Sequence, residues 1–144
     1  MTKYLLTLTA LAACAGTGFA GDPPAPTPAK TCDAEGCKDC AAPAIAKADL
    51  EKAIADKAVT LVDCNGSESF KAGRLPGAID FEANKADLAS KLPKDKASLI
   101  VVYCGGVKCS AWKMGCDAVC KLGYTNVKHF PEGLSGWDKA KLDK

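Results

Sequence analysis

Histidine is almost absent from this sequence, and its scarcity excludes several kinds of metal site. The 144 residues include one histidine, His129. Zinc or copper centres built on several histidines are therefore excluded, as is the helical two-histidine motif of zinc peptidases. We interpret His129 as a structural residue at the end of a strand, and we expect no metal and no cofactor.

The sequence also lacks any block of like charge. Nineteen basic and 17 acidic residues give a formal net charge of +2. Proteins that bind nucleic acid concentrate Lys and Arg in a patch or stripe, so we expect no nucleic-acid partner. With 48% hydrophobic and 25% charged residues, the composition is that of an ordinary globular chain, and the length fits one domain.

Cysteine, by contrast, is present in an odd number, nine of 144 residues. This share lies below the roughly 8–10% that is typical of disulfide scaffolds. An odd count leaves at least one thiol without an intramolecular partner, unless one cysteine is removed or modified. The cysteines therefore have to be interpreted one group at a time.

Residues 1–20 have the pattern of an export signal. Lys3 is followed by an uncharged stretch over residues 4–20 that is short for a membrane-spanning helix. The small residues at its end predict cleavage before Gly21. Alternatively, Leu-Ala-Ala-Cys at residues 11–14 resembles a bacterial lipobox, with Cys14 as the lipidated first residue. Both alternatives predict an exported, periplasmic protein that contacts the membrane only through such a lipid anchor.

Residues 21–43 are predicted to form a tether. Proline alternates with small residues over 22–29, a pattern typical of extended chain. Cys32, Cys37 and Cys40 follow and include a Cys-x-x-Cys pair, which serves redox and metal sites alike. Since three thiols without a fourth ligand make a poor zinc site, we favour a local disulfide plus one spare thiol. An exported redox or metal-carrying role for these three cysteines remains an alternative.

Residues 44–144 alternate between strand and helix patterns. Strands are predicted over 59–62, 78–81, 98–103 and 126–130, and helices over 47–56, 67–72, 83–92, 111–122 and 134–142. The run 98–103 is apolar throughout, as in a central strand buried on both faces. Strands separated by helices predict an α/β fold with a parallel sheet covered on both sides.

Cys104 follows the predicted central strand directly, at the sheet edge where α/β proteins bind ligands. Two glycines and a helix start come next, so backbone N–H groups can converge on the sulfur. We expect this setting, together with the charge of Lys108, to lower the pKa of the Cys104 thiol. The alternative is a small buried residue at a strand end; we favour the reactive thiol.

Three segments carry a family resemblance. Residues 61–79 resemble the first rhodanese signature, an apolar strand ending in Asp-x-Arg and followed by Gly-His-Ile-Pro-Gly-Ala. Residues 101–104 resemble the strand and catalytic cysteine of that family. Residues 123–127 and 132–137 resemble its C-terminal signature, so the match covers about residues 45–141.

The resemblance implies a single rhodanese-like domain that acts as a sulfurtransferase without metal or general base. Cys104 would take the outer sulfur of thiosulfate or a related small anion and hold it as a persulfide. A thiol, cyanide or a protein would then accept that sulfur. Asp63 and Arg74 would support the loop, and the loop residues would hold the anion: Gly105, Gly106, Val107, Lys108, Cys109 and Ser110. A non-catalytic binding module with the same fold is the alternative.

The sequence departs from the family pattern at several positions. Asn65 stands where the family usually has Arg, Arg74 where it often has His, and Cys109 where many members carry Arg. Ser69 and Glu132 replace a common Glu and Gly. Related phosphatases and arsenate reductases place Arg where this chain has Ser110, so the bidentate partner of a phosphate-type oxyanion is missing.

The remaining cysteines leave more than one interpretation. Cys109 is a redox or resolving partner of Cys104, or only a loop residue. Cys116 and Cys120 lie one helical turn apart, and we favour packing over a disulfide for them. Cys64 is predicted to pack in the core, as are Trp112 and Trp137.

Overall fold

The computed structural model describes residues 42–144, which form a four-stranded parallel sheet in the order β2-β1-β3-β4. The strands are β1 (Val59–Asp63), β2 (Ile79–Asp80), β3 (Leu99–Tyr103) and β4 (Val127–Phe130). The predicted α/β fold with a parallel sheet is confirmed. The export signal, Cys14, Cys32, Cys37 and Cys40 lie outside the described residues, as does all of the tether but residues 42–43.

Five α-helices connect and cover these strands. They are α1 (Lys47–Ala55), α2 (Ser67–Ala72), α3 (Phe81–Asn84), α4 (Leu88–Lys91) and α5 (Trp112–Lys121). Gly123 follows α5 with a φ of 87°, a conformation that favours glycine, and thus ends this helix as predicted.

Side chains of β3 alternate between two hydrophobic clusters, one on each face of the sheet. Ile100, Val102 and the following Cys104 pack on the face of α5, whereas Val101 and Tyr103 pack on the face of α1. All five are at most 1% exposed. The central strand is therefore buried on both faces, as its uninterrupted apolar run predicts.

The helix predicted over residues 83–92 is wrong, because two short helices occupy this stretch. The Asp80 side chain accepts a hydrogen bond from the N–H of Ala83 at 3.1 Å and starts α3 at Phe81. The chain then breaks before α4, where the hydroxyl of Ser90 donates to Asp87. The predicted strand 78–81 shrinks to two residues for the same reason.

The helix predicted over residues 134–142 is also wrong. Two 3₁₀ turns, Gly133–Gly136 and Lys139–Lys141, are separated by extended chain at Trp137 and Asp138. The Trp137 ring is buried edge-on against Phe130, with ring centroids 5.9 Å apart, which keeps the backbone at this point out of a helix.

Candidate functional site

The candidate site lies where the chain leaves the sheet at the carboxyl end of β3. Cys104 is the first residue after this strand and is 1% exposed. The loop that follows runs from Gly105 to Ala111, and α5 begins at Trp112. The structure therefore places Cys104 between the central strand and a helix N-terminus.

A tight turn folds the loop back onto Cys104. The N–H of Cys109 donates a hydrogen bond to the carbonyl oxygen of Gly106 at 2.9 Å. The thiol of Cys104 lies 3.4 Å from the carbonyl oxygen of Cys109. The same thiol can also donate to the Cys109 sulfur, so the two side chains face each other.

Four backbone N–H groups are directed at these two sulfur atoms. Those of Gly106 and Trp112 face the Cys104 sulfur, and those of Gly105 and Ala111 face the Cys109 sulfur. Such converging N–H groups at a helix N-terminus stabilise negative charge. The arrangement can hold one anionic sulfur within a partly exposed loop.

The pKa shifts, however, favour negative charge on a different sulfur from the one the sequence predicts. Burial raises the pKa of the Cys104 thiol, and its hydrogen bond to Cys109 raises it further. That same hydrogen bond, received by Cys109, is the main reason why the Cys109 pKa is lowered. The expected lowering of the Cys104 pKa is therefore wrong, because the first proton to leave the pair leaves Cys109.

Gly133 supports the loop from behind. A Cβ atom at this position would lie 2.0 Å from the carbonyl oxygen of Cys104, and its φ of 52° also favours glycine. The N–H of Leu134 donates to that same oxygen at 2.9 Å, and the N–H of Ser135 to the carbonyl of Gly105 at 3.0 Å. The sequence singled out this segment as a motif but did not reveal that it supports the loop.

Asp63 reaches the loop through Asn65. One carboxylate oxygen of Asp63 accepts two hydrogen bonds from Asn65, from its backbone N–H and its side-chain amide, both at 2.8 Å. The Asn65 side-chain oxygen lies 3.1 Å from where a Cβ of Gly105 would be. Burial raises the pKa of Asp63. In the sequence, Asn65 stood out only because the family pattern has an arginine there. In the structure, it connects Asp63 to the loop.

Arg74 does not occupy the predicted supporting position. Its guanidinium hydrogen-bonds the carbonyl oxygens of Phe70 and Lys144, and its backbone pairs with Asp143. The guanidinium also lies 4.7 Å from the centre of the Phe70 ring. The structure therefore assigns Arg74 to holding the C-terminal segment against α2, which corrects the prediction.

Two cavities border the loop and carry lysines. The larger, about 640 Å³, is lined by Asn65, Gly105 and Ser135 together with Lys139 and Lys144. The smaller, about 370 Å³, is lined by loop residues that include Lys108 and by Ser135. The sequence identified Lys108 alone, because Lys139 and Lys144 reach the loop only through the fold of the C-terminal segment.

Two further loop residues that the resemblance proposed are exposed. Val107 forms the tip of the loop and is 77% exposed, and Ser110 is exposed where the loop approaches α5. The carbonyl oxygen of Ser110 accepts a hydrogen bond from the N–H of Lys113 at 3.1 Å. The N–H groups that lower the two thiol pKa values come from the two ends of the loop.

Cys64, Cys116 and Cys120 are buried on the α5 face, as predicted for packing residues. The Cys64 thiol lies 4.0 Å from the carbonyl oxygen of Val62, and burial raises its pKa to about 12. Cys116 is also disulfide-bonded. That disulfide does not join Cys116 to Cys120, so the predicted packing of these two cysteines, rather than a disulfide between them, is confirmed.

His129 stacks on Trp112, with ring centroids 3.8 Å apart and ring planes 14° from parallel. Burial lowers the pKa of His129. Within residues 42–144, no three His, Cys, Asp or Glu side chains come together as a metal site would require. No helix in this part of the chain is long and apolar enough to cross a membrane.

The chain is 36% identical over 102 residues to the HTH-type transcriptional regulator Rv0324 of Mycobacterium tuberculosis, covering 69% of this chain and 43% of the regulator. The chain thus spans less than half the length of that relative.

Solved structures share the fold at lower identity. The BH2092 protein of Bacillus halodurans matches with a TM-score of 0.59 and 24% identity over 71% of this chain and 77% of its own. The human single-domain sulfurtransferase TSTD1 matches with a TM-score of 0.53 and 19% identity, over 67% of this chain and 95% of its own.

The family comparison covers most of the described domain. The model of the Rhodanese-like domain matches residues 46–140, from the start of α1 to the last 3₁₀ turn. This range contains Cys104, its loop and the Gly133 support. The chain therefore belongs to the rhodanese-like domain family.

Proposed function

We propose that this domain is a sulfurtransferase that carries a sulfane sulfur on Cys104. The observation that carries the proposal is the convergence of backbone N–H groups on the Cys104 and Cys109 sulfur atoms at the carboxyl end of β3. A persulfide formed at Cys104 would be anionic and would receive the N–H groups of Gly106 and Trp112. Thiosulfate or a related anion is the proposed donor.

The first step transfers sulfur to the protein. The Cys104 thiol releases its proton towards Cys109, and the resulting thiolate attacks the outer sulfur of the donor. The bond between the two donor sulfurs breaks, and sulfite leaves with the electron pair. Lys108, Lys139 and Lys144 line the two cavities beside the loop and attract the anion.

The second step returns Cys104 to its starting state. A thiol, cyanide or a protein thiolate attacks the outer sulfur of the persulfide, and the Cys104 sulfur leaves. The export signal predicted over residues 1–20 would place this chemistry outside the cytoplasm. The mass of the secreted protein, measured before any sulfur transfer assay, reports cleavage before Gly21 or lipidation at Cys14.

Substitution of the nucleophile tests the proposal. With thiosulfate as donor and excess cyanide as acceptor, we expect Cys104→Ser to lower sulfite and thiocyanate formation by roughly 1,000-fold or more. Cys64→Ser is the matched control, since Cys64 is also buried at a strand end of the same sheet face. Full turnover by Cys104→Ser would contradict the proposal.

A further inference from the structure

The loop brings a second sulfur to the proposed nucleophile, and the proposed cycle does not use it for bond formation. Cys109 is half-buried at the rim of the smaller cavity, whereas Cys104 is 1% exposed. The turn between Gly106 and Cys109 brings Cys109 back to the nucleophile, and the Cys104 thiol lies 3.4 Å from the Cys109 carbonyl oxygen. No rearrangement of β3 or α5 is needed for the two side chains to face each other.

The charge distribution distinguishes Cys109 from the other nearby thiol. Cys109 receives the N–H groups of Gly105 and Ala111 as well as the Cys104 hydrogen bond, and its pKa is lowered. Cys64 is buried, and its pKa is raised to about 12. Since the thiolate is the attacking form, Cys109 is the sulfur that is prepared to attack at Cys104.

We propose that Cys109 resolves the Cys104 persulfide by attacking the Cys104 sulfur, which releases hydrosulfide and leaves a Cys104–Cys109 disulfide. The inference rests on the proposed sulfur transfer to Cys104. It adds an activity, the reductive release of sulfide from a sulfane-sulfur donor without an external acceptor thiol.

The atoms and electrons of this step balance. A bond forms between the two Sγ atoms, and the bond between Cys104 Sγ and the outer sulfur breaks. The proton of the Cys109 thiol passes to the anionic outer sulfur, which leaves with the electron pair as hydrosulfide. The sulfane sulfur is thereby reduced, and the two cysteine thiols are oxidised to the disulfide. A dithiol reductant is the class of compound that would return the pair to its reduced state for another cycle.

Leaving-group chemistry favours attack at Cys104 over transfer of the outer sulfur to Cys109. Transfer to Cys109 would expel the Cys104 thiolate, and burial raises the pKa of that thiol, which makes it a poorer leaving group. Attack at Cys104 expels hydrosulfide, which is the weaker base and leaves faster. An excess of a small nucleophile such as cyanide would still compete for the outer sulfur.

A single-turnover experiment tests this inference separately from the proposed function. Fully reduced protein, freed of reductant and kept anaerobic, is mixed with equimolar thiosulfate and no acceptor. For the unmodified chain we expect sulfite and hydrosulfide in amounts equal to the protein, and a mass about 2 Da below that of the reduced chain. Peptide mapping should then join Cys104 to Cys109.

Two variants sharpen the test. Cys109→Ser should release sulfite but no hydrosulfide and keep an adduct of about 32 Da, one sulfur atom, on Cys104. Cys64→Ser should give the same products as the unmodified chain. A lasting persulfide on the unmodified chain, or loss of hydrosulfide in Cys64→Ser, would overturn the inference while leaving the proposed function standing. Absence of sulfite would overturn the proposed function itself.

Discussion

The carboxyl ends of β1 and β3 carry the same residue in matched positions but in different chemical settings. Asp63 pairs with Tyr103 in the parallel register, so Cys64 and Cys104 are the first residues beyond two neighbouring strands. Both are buried in the same cluster on the α5 face. After Cys64 the chain turns into α2, whereas after Cys104 it forms a loop with two glycines and a second cysteine.

The difference shows that a strand end alone does not make a reactive thiol. Cys64 packs against Gly115 of α5, where a Cβ atom would lie 2.4 Å from its sulfur, and has the chemistry of a buried apolar residue. Cys104 has a sulfur partner and converging N–H groups because its loop folds back on it. The segment after the strand therefore determines the chemical setting of the thiol.

The rate of thiol alkylation should differ more between the β1 and β3 ends than any other property. Burial raises the pKa of Cys64 to about 12, which leaves it about 1,000-fold or more less thiolate at neutral pH than an ordinary cysteine, whereas the pKa of Cys109 is lowered. We expect iodoacetamide to modify Cys109 in the native protein, with a half-maximal rate at a lower pH than that of an ordinary thiol. Cys64 should react only after unfolding in urea, as peptide mapping would show.

The variant Cys104→Ala is the control for that pH profile. It removes the hydrogen bond that Cys109 receives, which is the main reason for the low Cys109 pKa. The half-maximal alkylation rate should therefore move to higher pH. An unchanged midpoint would contradict the pairing of the two sulfur atoms.

Gly133→Ala should affect the β3 end alone. The new Cβ would meet the Cys104 carbonyl oxygen, and the left-handed backbone would be strained. Together these effects should lower the free energy of unfolding by about 2–5 kcal/mol. Gly123→Ala shares the positive φ but meets nothing within 4 Å, so it should cost only about 1–2 kcal/mol. Urea denaturation measures both, and equal losses would contradict the supporting role of Gly133.

Gly115→Ala should have a smaller effect, confined to the β1 end. Alanine favours a helix interior, but its Cβ would overlap the Cys64 sulfur, so we expect a net loss of roughly 1–2 kcal/mol in the free energy of unfolding. The double variant with Cys64→Ala should recover most of this loss, since the overlap is then removed. Strictly additive losses in urea denaturation would show that Cys64 does not pack against α5.

The sequence predicted the parts of the fold that depend on local pattern. The apolar run of β3 was sufficient to predict a buried central strand, and the glycine after α5 was sufficient to predict where that helix ends. The broken helix after β2 depends on the Asp80 side chain, which caps α3. The last 3₁₀ turns depend on the burial of Trp137 against Phe130, a contact between side chains of different elements. The spacing of apolar residues that predicts a helix contains no information on either contact.

The candidate site was predictable to a similar degree. The position of Cys104 follows from its place after a central strand. The charge on Cys109, the link through Asn65 and the support from Gly133 depend on directions of N–H groups and close contacts. These arise only when separate segments pack, so sequence reasoning had no signal for them.

The stacked pair of Trp112 and His129 gives the loop an optical reporter. Trp112 is the first residue of α5, and its backbone N–H faces the Cys104 sulfur. The Trp112 ring stacks on His129 of β4. A group added to that sulfur changes the contacts of the first residue of the helix, and we expect the overlap of the indole with the imidazole to change with it. Tryptophan emission would thus record each change in the covalent state of Cys104.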